Sequence, residues 1–504
     1  MSYISAGFLL LIIITAIIYY VLPRNCQWIV LLAASIVFYA TYGIRYMGYI
    51  LFTIITTYIF TVKMGSCDSK TVRKRILVAC LLCNFGLLFL MKYLNFTIIN
   101  INAISHIFGE GLNLNRISLV MPLGMSFYTF QTMSYAIDVY YRKYEPEKNI
   151  FKLALFVSFF PQLLQGPIGR FDRLHQQLIA GHSFDITNVE HGAQRILWGF
   201  AKKLILADRA GIVATALLTN LDTYRGAYMI AGMLFYSVYI YCDFAGGMDL
   251  VIGTAEIFGI KLDENFRQPY FSMSVGEFWR RWHISLGTWM KDYVFYPFSI
   301  SKPMARFSKF AKKKFGKQTG RVLPVCLANL LIFFIVGVWH GASWKYILYG
   351  FYNGIIIAVS NLLKPLYGKG LAKCHINPDS WYWRGFKMLR TFILVNIGWL
   401  CDACTSASQV FKALGNIFVD FRVRDVFSGS LLKMGLNMRD YHVLLVALIV
   451  LIIVSILKEK NVNIREWIDK RPLVIRWAIY IALVFVTAPF GFVGATTEFM
   501  YAQF

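Results

Sequence analysis

Long runs without charge alternate with short polar connections along most of the chain. Apolar runs of roughly 17 to 22 residues fall near 4–22, 27–44, 46–62, 76–92, 227–245, 322–339, 345–363, 441–457 and 473–490. About 20 residues of helix cross the hydrocarbon layer, so each run predicts a membrane-spanning helix. Weaker runs near 118–140, 151–166, 193–207 and 389–403 are interrupted by Pro, Gly or charge. They predict broken or re-entrant helices, which are tolerated at membrane depth only where protein or a wet cavity covers the backbone. The first run has no charge before Arg24 and no small-residue cleavage motif after it, so it reads as a retained helix rather than a signal peptide. The longest polar stretches, 93–117, 167–192, 300–321, 364–387 and 404–440, read as connections, the last as an exoplasmic loop or surface helix where a partner docks.

Composition agrees with the pattern. The 504 residues are 58% hydrophobic and 15% charged, more apolar surface than one soluble core of this size hides. An all-α polytopic membrane protein is expected, and with no Pro-, Ser- or Gly-rich linker and no fixed repeat it is expected as a single membrane domain over 1–504. The net charge of +25 sits in short loops between apolar runs. That is the positive-inside pattern, and it accounts for the charge without nucleic acid. With 63–75, 302–321 and 458–476 cytoplasmic, a consistent count puts the N-terminus and 93–117 outside, 142–152 inside, and 322–339 running outward. Most of the nine cysteines lie in apolar runs and read as small hydrophobes rather than a disulfide framework. Cys401 and Cys404 form a C-x-x-C near a predicted exoplasmic edge, where they either oxidise or remain thiols.

Six of the eight histidines, His106, His175, His182, His191, His375 and His442, sit in polar connections or at segment edges. The other two each follow a tryptophan: His283 in VGEFWRRWHISLGTWMKDYVFYP and His340 in GVWHGASW. Within 277–295, Trp279, Trp282, Leu286, Trp289 and Tyr293 recur at spacings of three and four, which predicts an amphipathic helix. A basic, Trp-rich helix lies along the membrane interface, so His283 is either a headgroup-level anchor residue or a catalytic one. His340 ends an uncharged run and precedes Gly341 and Ala342, small enough to admit another helix or a substrate. An ionisable group at that depth is costly and lines a cavity or pathway. A neutral imidazole there suits general-base work, and the alternative is a core histidine hydrogen-bonded to a neighbouring helix. H-E-x-x-H, G-x-x-x-x-G-K-[ST] and G-x-S-x-G are absent, which removes the commonest zinc peptidase, P-loop and serine hydrolase readings; no metal site is expected.

Several segments then carry a resemblance: MPLGMSFYTFQTMSYAIDVYY (121–141), FFPQLLQGPIGRFDRL (159–174), YCDFAGGMDLVIG (241–253), NFRQPYFSMSVGEFWRRWHISLGTWMKDYVFYP (265–297), VWHGASWKYILYGFYNG (338–354) and EFMYAQF (498–504). In this order they resemble the membrane-bound O-acyltransferase family, in its bacterial alginate O-acetyltransferase branch. The resemblance implies a ring of tilted and re-entrant helices around a central tunnel, with N-terminal helices in 1–117, a catalytic core in 118–363, and C-terminal helices with an exoplasmic loop in 364–504. It also implies a multi-pass protein of the cell membrane. His340 takes the family's catalytic position and His283 that of its second site histidine. The chain departs from the family pattern at Gly247-Met248, where Tyr-Ser is usual, and at WLCDAC (399–404), where Phe-Phe-Arg-Ala is usual.

The implied chemistry is transfer of an acetyl group from a cytoplasmic donor, acetyl-CoA or another acyl thioester, to a hydroxyl of an envelope polysaccharide or a partner protein. No bound cofactor is expected. Membrane lipid, an extracytoplasmic acetyl-transfer protein and an acyl carrier are the expected partners. His340 takes the hydroxyl proton, His283 positions or polarises a reacting group, and Asn353 orients either one. Trp279, Trp282, Trp289 and Trp339 shape the site or, as amphipathic rings, mark the interface. Asp243, in the YCDFAGG segment, is a candidate substrate or tunnel residue. Arg170 binds a phosphate or snorkels. The eight Lys and Arg of 302–321 attract an anionic donor or set topology. D-alanyl transfer to teichoic acid is the alternative within the family; a transporter or flippase without chemistry is the alternative outside it.

Overall fold

Each of the nine uninterrupted apolar runs becomes a helix in the computed structural model, which describes residues 1–109, 111–491 and 498–500. Of the closing EFMYAQF segment, 501–504 lie outside the described residues. Among the described residues six helices are long and apolar enough to cross a membrane: Ile44–Gly65, Lys70–Ile107, Ala227–Ile257, Lys302–His340, Trp344–Lys373 and Met438–Glu459. Three shorter apolar helices, Ala6–Val21, Arg24–Ala40 and Leu473–Thr487, take the remaining runs. Among the described residues no strand forms, and one isolated bridge joins Phe266 to Trp282.

Two helices outrun their apolar stretches. Lys70–Ile107 continues through much of 93–117, and Lys302–His340 absorbs the basic 302–321 stretch, both expected as connections. Ser301 caps the latter by accepting from the Met304 amide, and Gly316, at φ +82°, interrupts its helical geometry. The helix expected over 118–140 is confined to Met125–Tyr140, because Pro122 and the left-handed Gly124 precede it.

The chain packs as two compact units. The first contains Met1–Ala201 and Phe244–Asp263. Its interrupted run does not stay helical: Ile150–Ser158 is followed by irregular chain over 159–170, punctuated by Pro161 and Pro167 and fully enclosed. Its backbone groups find partners inside: the Phe160 amide donates to Ser35 Oγ at 3.0 Å, and Tyr3 Oη donates to the Phe160 carbonyl at 3.1 Å. Irregular backbone is thereby kept from lipid, as the interruptions predict. His175, expected in a polar connection, is instead buried on the Phe171–Ala180 helix, 2.9 Å from Glu147 and stacked on Phe171.

The second unit contains Lys202–Asp243 and Glu264–Thr496. Its central feature is the hairpin of Lys302–His340 and Trp344–Lys373, closed by 341–343. The two helices touch through Gly337 and Gly350. A Cβ on Gly350 would overlap the Phe333 carbonyl, and one on Gly337 the Tyr346 carbonyl. We expect Gly350→Leu to cost about 3 kcal/mol, the upper end for overpacking, read as a lower unfolding temperature of the detergent-solubilised protein. Val275, Phe333 and Ile357 form a core on one side of this hairpin, with Trp279 and Leu394 against it. By contrast Met438–Glu459 has only 11% of its most apolar window buried, and Leu445, Val446, Ile449, Val450, Ile452 and Ile453 form an outward apolar face suited to lipid.

Candidate active site

His340 is the last residue of its helix, placed at the hairpin bend and 5% exposed. Three aromatic rings surround the imidazole: Trp339 at 5.1 Å and Tyr349 at 5.5 Å meet it edge-on, and Tyr346 lies nearly parallel at 6.1 Å. Such a wall excludes water and fixes ring orientation.

His283 reaches the same wall from another part of the chain. The continuous amphipathic helix expected over 277–295 does not form. Val275–Arg281 and Ile284–Met290 are separate short helices, and His283 stands between them at φ +48°. The break is imposed by Asn265. Its backbone carbonyl accepts from the Ile284 amide at 3.0 Å, its side-chain oxygen accepts from the Ser285 amide at 2.9 Å, and that oxygen lies 3.2 Å from His283 Nδ1. A second backbone bond, Arg267 N–H to the Arg281 carbonyl at 2.9 Å, holds the two segments together. These contacts draw Trp282 and His283 inward, to 1% and 2% exposure, which removes the interfacial-anchor reading of His283. The His283 ring lies 5.8 Å from Trp339, so both histidines lie near one indole. Burial, with a smaller contribution from His340, pushes the His283 pKa well below its ordinary value, so the ring is neutral at neutral pH.

The other predicted residues fall into a supporting layer or elsewhere. Asn353 orients an indole: it accepts from Trp279 Nε1 at 3.0 Å and donates to the Tyr349 carbonyl at 2.9 Å. Trp279 in turn packs on Tyr349, which faces His340. Trp282 belongs to an aromatic cluster with Phe278 and Trp399, and Trp289 packs on Tyr293.

Comparison with known proteins follows the same segments. A profile of the membrane-bound O-acyltransferase family matches residues 147–375, which include both histidines. The "Probable alginate O-acetylase AlgI" of Azotobacter vinelandii is 32% identical over 404 residues, covering 80% of this chain and 74% of that protein. The chain belongs to the membrane-bound O-acyltransferase family. The peptidoglycan O-acetyltransferase of Helicobacter pylori is 28% identical over 77% of this chain and 72% of that protein. The teichoic acid D-alanyltransferase of Bacillus subtilis is 30% identical over 49% of this chain and 60% of that protein. This protein is thus a multi-pass membrane O-acyltransferase.

Asp243 of the acyltransferase is paired with Lys203, Nζ to Oδ1 at 2.7 Å, with both side chains fully buried; Asp208 approaches the same Nζ at 2.9 Å. Lys203 lies in a π-helical segment, Ala201–Ala207, whose widened turn turns it inward. Arg170 lies in the first unit, 8% exposed at the start of Phe171–Ala180, so snorkelling does not describe it. Cys401 and Cys404 are buried free thiols. Among the described residues, no three His, Cys, Asp or Glu side chains gather as a metal site.

Sequence reasoning missed Asn265, Tyr346 and Tyr349, although all three lie inside the segments that carry the family resemblance. Asn265→Ala is expected to slow acyl transfer roughly 10-fold or more through misplacement of His283. Asn265→Asp keeps the acceptor for the Ser285 amide and should be milder. Transfer rates in membrane vesicles at matched protein abundance check both.

Proposed function

We propose that this acyltransferase moves an acetyl group from a cytoplasmic thioester, acetyl-CoA or another acyl thioester, to a hydroxyl of an envelope polysaccharide or of an extracytoplasmic partner protein. The observation that carries the reading is the pair of buried histidines that share Trp339 as a ring neighbour, one of them at the hairpin bend. The acceptor oxygen attacks the thioester carbonyl as its proton passes to His340. The carbon–sulfur bond breaks, and the leaving thiolate takes the proton back from the imidazolium. Neutral His283 hydrogen-bonds a reacting group and holds it in line. The exposed Lys312, Lys313 and Lys314 attract the anionic donor. The partner protein docks on the segment that exposes Phe418 and Phe427 beside Arg422 and Arg424.

Acetyl rather than D-alanyl transfer is favoured by the extent of likeness, which reaches most of the chain for the alginate O-acetylase relative and half for the D-alanyltransferase. The test compares base-labile acetate and D-alanine on the cell envelope with the gene deleted and restored. Acetate lost and regained with the gene supports the proposal; D-alanine behaving so instead replaces it with the alternative.

A further inference from the structure

The WLCDAC segment, where the chain departs from its family's pattern, places a carboxylate beside the candidate site. Asp402 lies near the end of the helix Trp381–Ala403. The Tyr236 hydroxyl donates to its Oδ2 at 2.8 Å, and the Tyr346 hydroxyl donates to the same carboxylate. Lys345, one residue before Tyr346, anchors this helix end: its Nζ donates to the backbone carbonyls of Asp402 at 3.0 Å and Cys404 at 2.8 Å. The same ammonium lies 4.6 Å from the centre of the Tyr346 ring.

Tyr346 is therefore held at three points. Its hydroxyl is tied to Asp402, Lys345 lies over its ring, and the ring rests directly against Gly341, where a Cβ would overlap its carbons. Gly341 is the residue after His340, and the Tyr346 ring lies within 23° of parallel to the imidazole. A carboxyl group has acceptor capacity for two hydroxyl donors at once. Without Asp402 the Tyr346 hydroxyl loses this tether, and the ring that packs against Gly341 is held less firmly.

We propose that Asp402 is a positioning residue for His340, acting through the Tyr346 hydroxyl to fix the imidazole in the orientation that receives the acceptor proton. The proposal rests on the reading of His340 as general base. It differs from a purely structural role in what it predicts for kinetics, since displacement of the base by a fraction of an ångström slows the chemical step without weakening donor binding.

The experiment uses the full-length protein in membrane vesicles, with radiolabelled acetyl-CoA as the probe and base-labile label in envelope material as the product. Wild type is compared with His340→Ala, Tyr346→Phe, Asp402→Ala, Asp402→Asn and the Tyr346→Phe/Asp402→Ala double variant at matched abundance. Tyr346→Phe and Asp402→Ala are each expected to lower kcat roughly 10-fold, with KM for acetyl-CoA unchanged. The double variant should be no slower than Asp402→Ala, because both changes break one link. Asp402→Asn keeps an acceptor and should lose clearly less than Asp402→Ala. A wild-type kcat for Tyr346→Phe, single losses that multiply in the double variant, or a change confined to KM overturns the assignment. His340→Ala separates the two ideas. Label incorporation that survives it sinks the general-base reading, whereas an inactive His340→Ala beside a wild-type Tyr346→Phe sinks only the role of Asp402.

Discussion

His340→Ala is expected to lower acyl transfer by about 10²- to 10⁴-fold, the usual contribution of a positioned general base. The fold should survive. Alanine is the best helix former, and the change falls on the last residue of a helix already held by the glycine contact at 337 and 350. What is lost is the only function that an imidazole walled by Trp339, Tyr346 and Tyr349 serves in the proposed chemistry. The measurement is the rate of base-labile acetate formation at equal membrane abundance, with the unfolding temperature recorded for the same samples. Full activity would return His340 to the status of a packed core histidine.

Lys203→Met is expected to destabilise the protein by about 3–5 kcal/mol, the cost of removing one partner from a buried ion pair. Lys203 lies 2.7 Å from Asp243 and 2.9 Å from Asp208, and methionine would remove this buried cation from both carboxylates. Asp243→Asn should cost less, because Lys203 keeps Asp208 and the amide still accepts a hydrogen bond. Thermal unfolding of the solubilised variants, together with their steady-state membrane abundance, tests the order. Equal stability of Lys203→Met and wild type would show that the ion pair is not a structural element.

The spanning helices were legible because charge-free runs of membrane-crossing length have few other uses; all nine uninterrupted runs are helical. Helix ends were not, since Lys and Arg continue a helix beyond the hydrocarbon as readily as they form a loop. The Trp282–His283 break was invisible for a different reason. Trp279, Trp282, Leu286 and Trp289 keep helical spacing across it, and the left-handed residue is imposed by Asn265, eighteen positions upstream. The same holds for Lys203 and Asp243, forty positions apart, and for Asp402 with Tyr236 and Tyr346: each was readable as a polar residue near an apolar run, and only tertiary packing says which charge or hydroxyl it meets. The two histidines were singled out by their Trp-His context, whereas their common contact with Trp339 required the fold.

The hairpin that carries His340 has a bearing on biogenesis. Its helices are joined by three residues, and the glycines that seat them are neighbours in the chain as well as in space. Closing so short a loop costs little entropy and is fast compared with long-range pairing. The hairpin can therefore assemble as soon as residue 373 has been synthesised, before the helix bearing Asp402 exists. His340 is then set in place by the nascent chain itself, and the tether from Asp402 locks a bend that is already made.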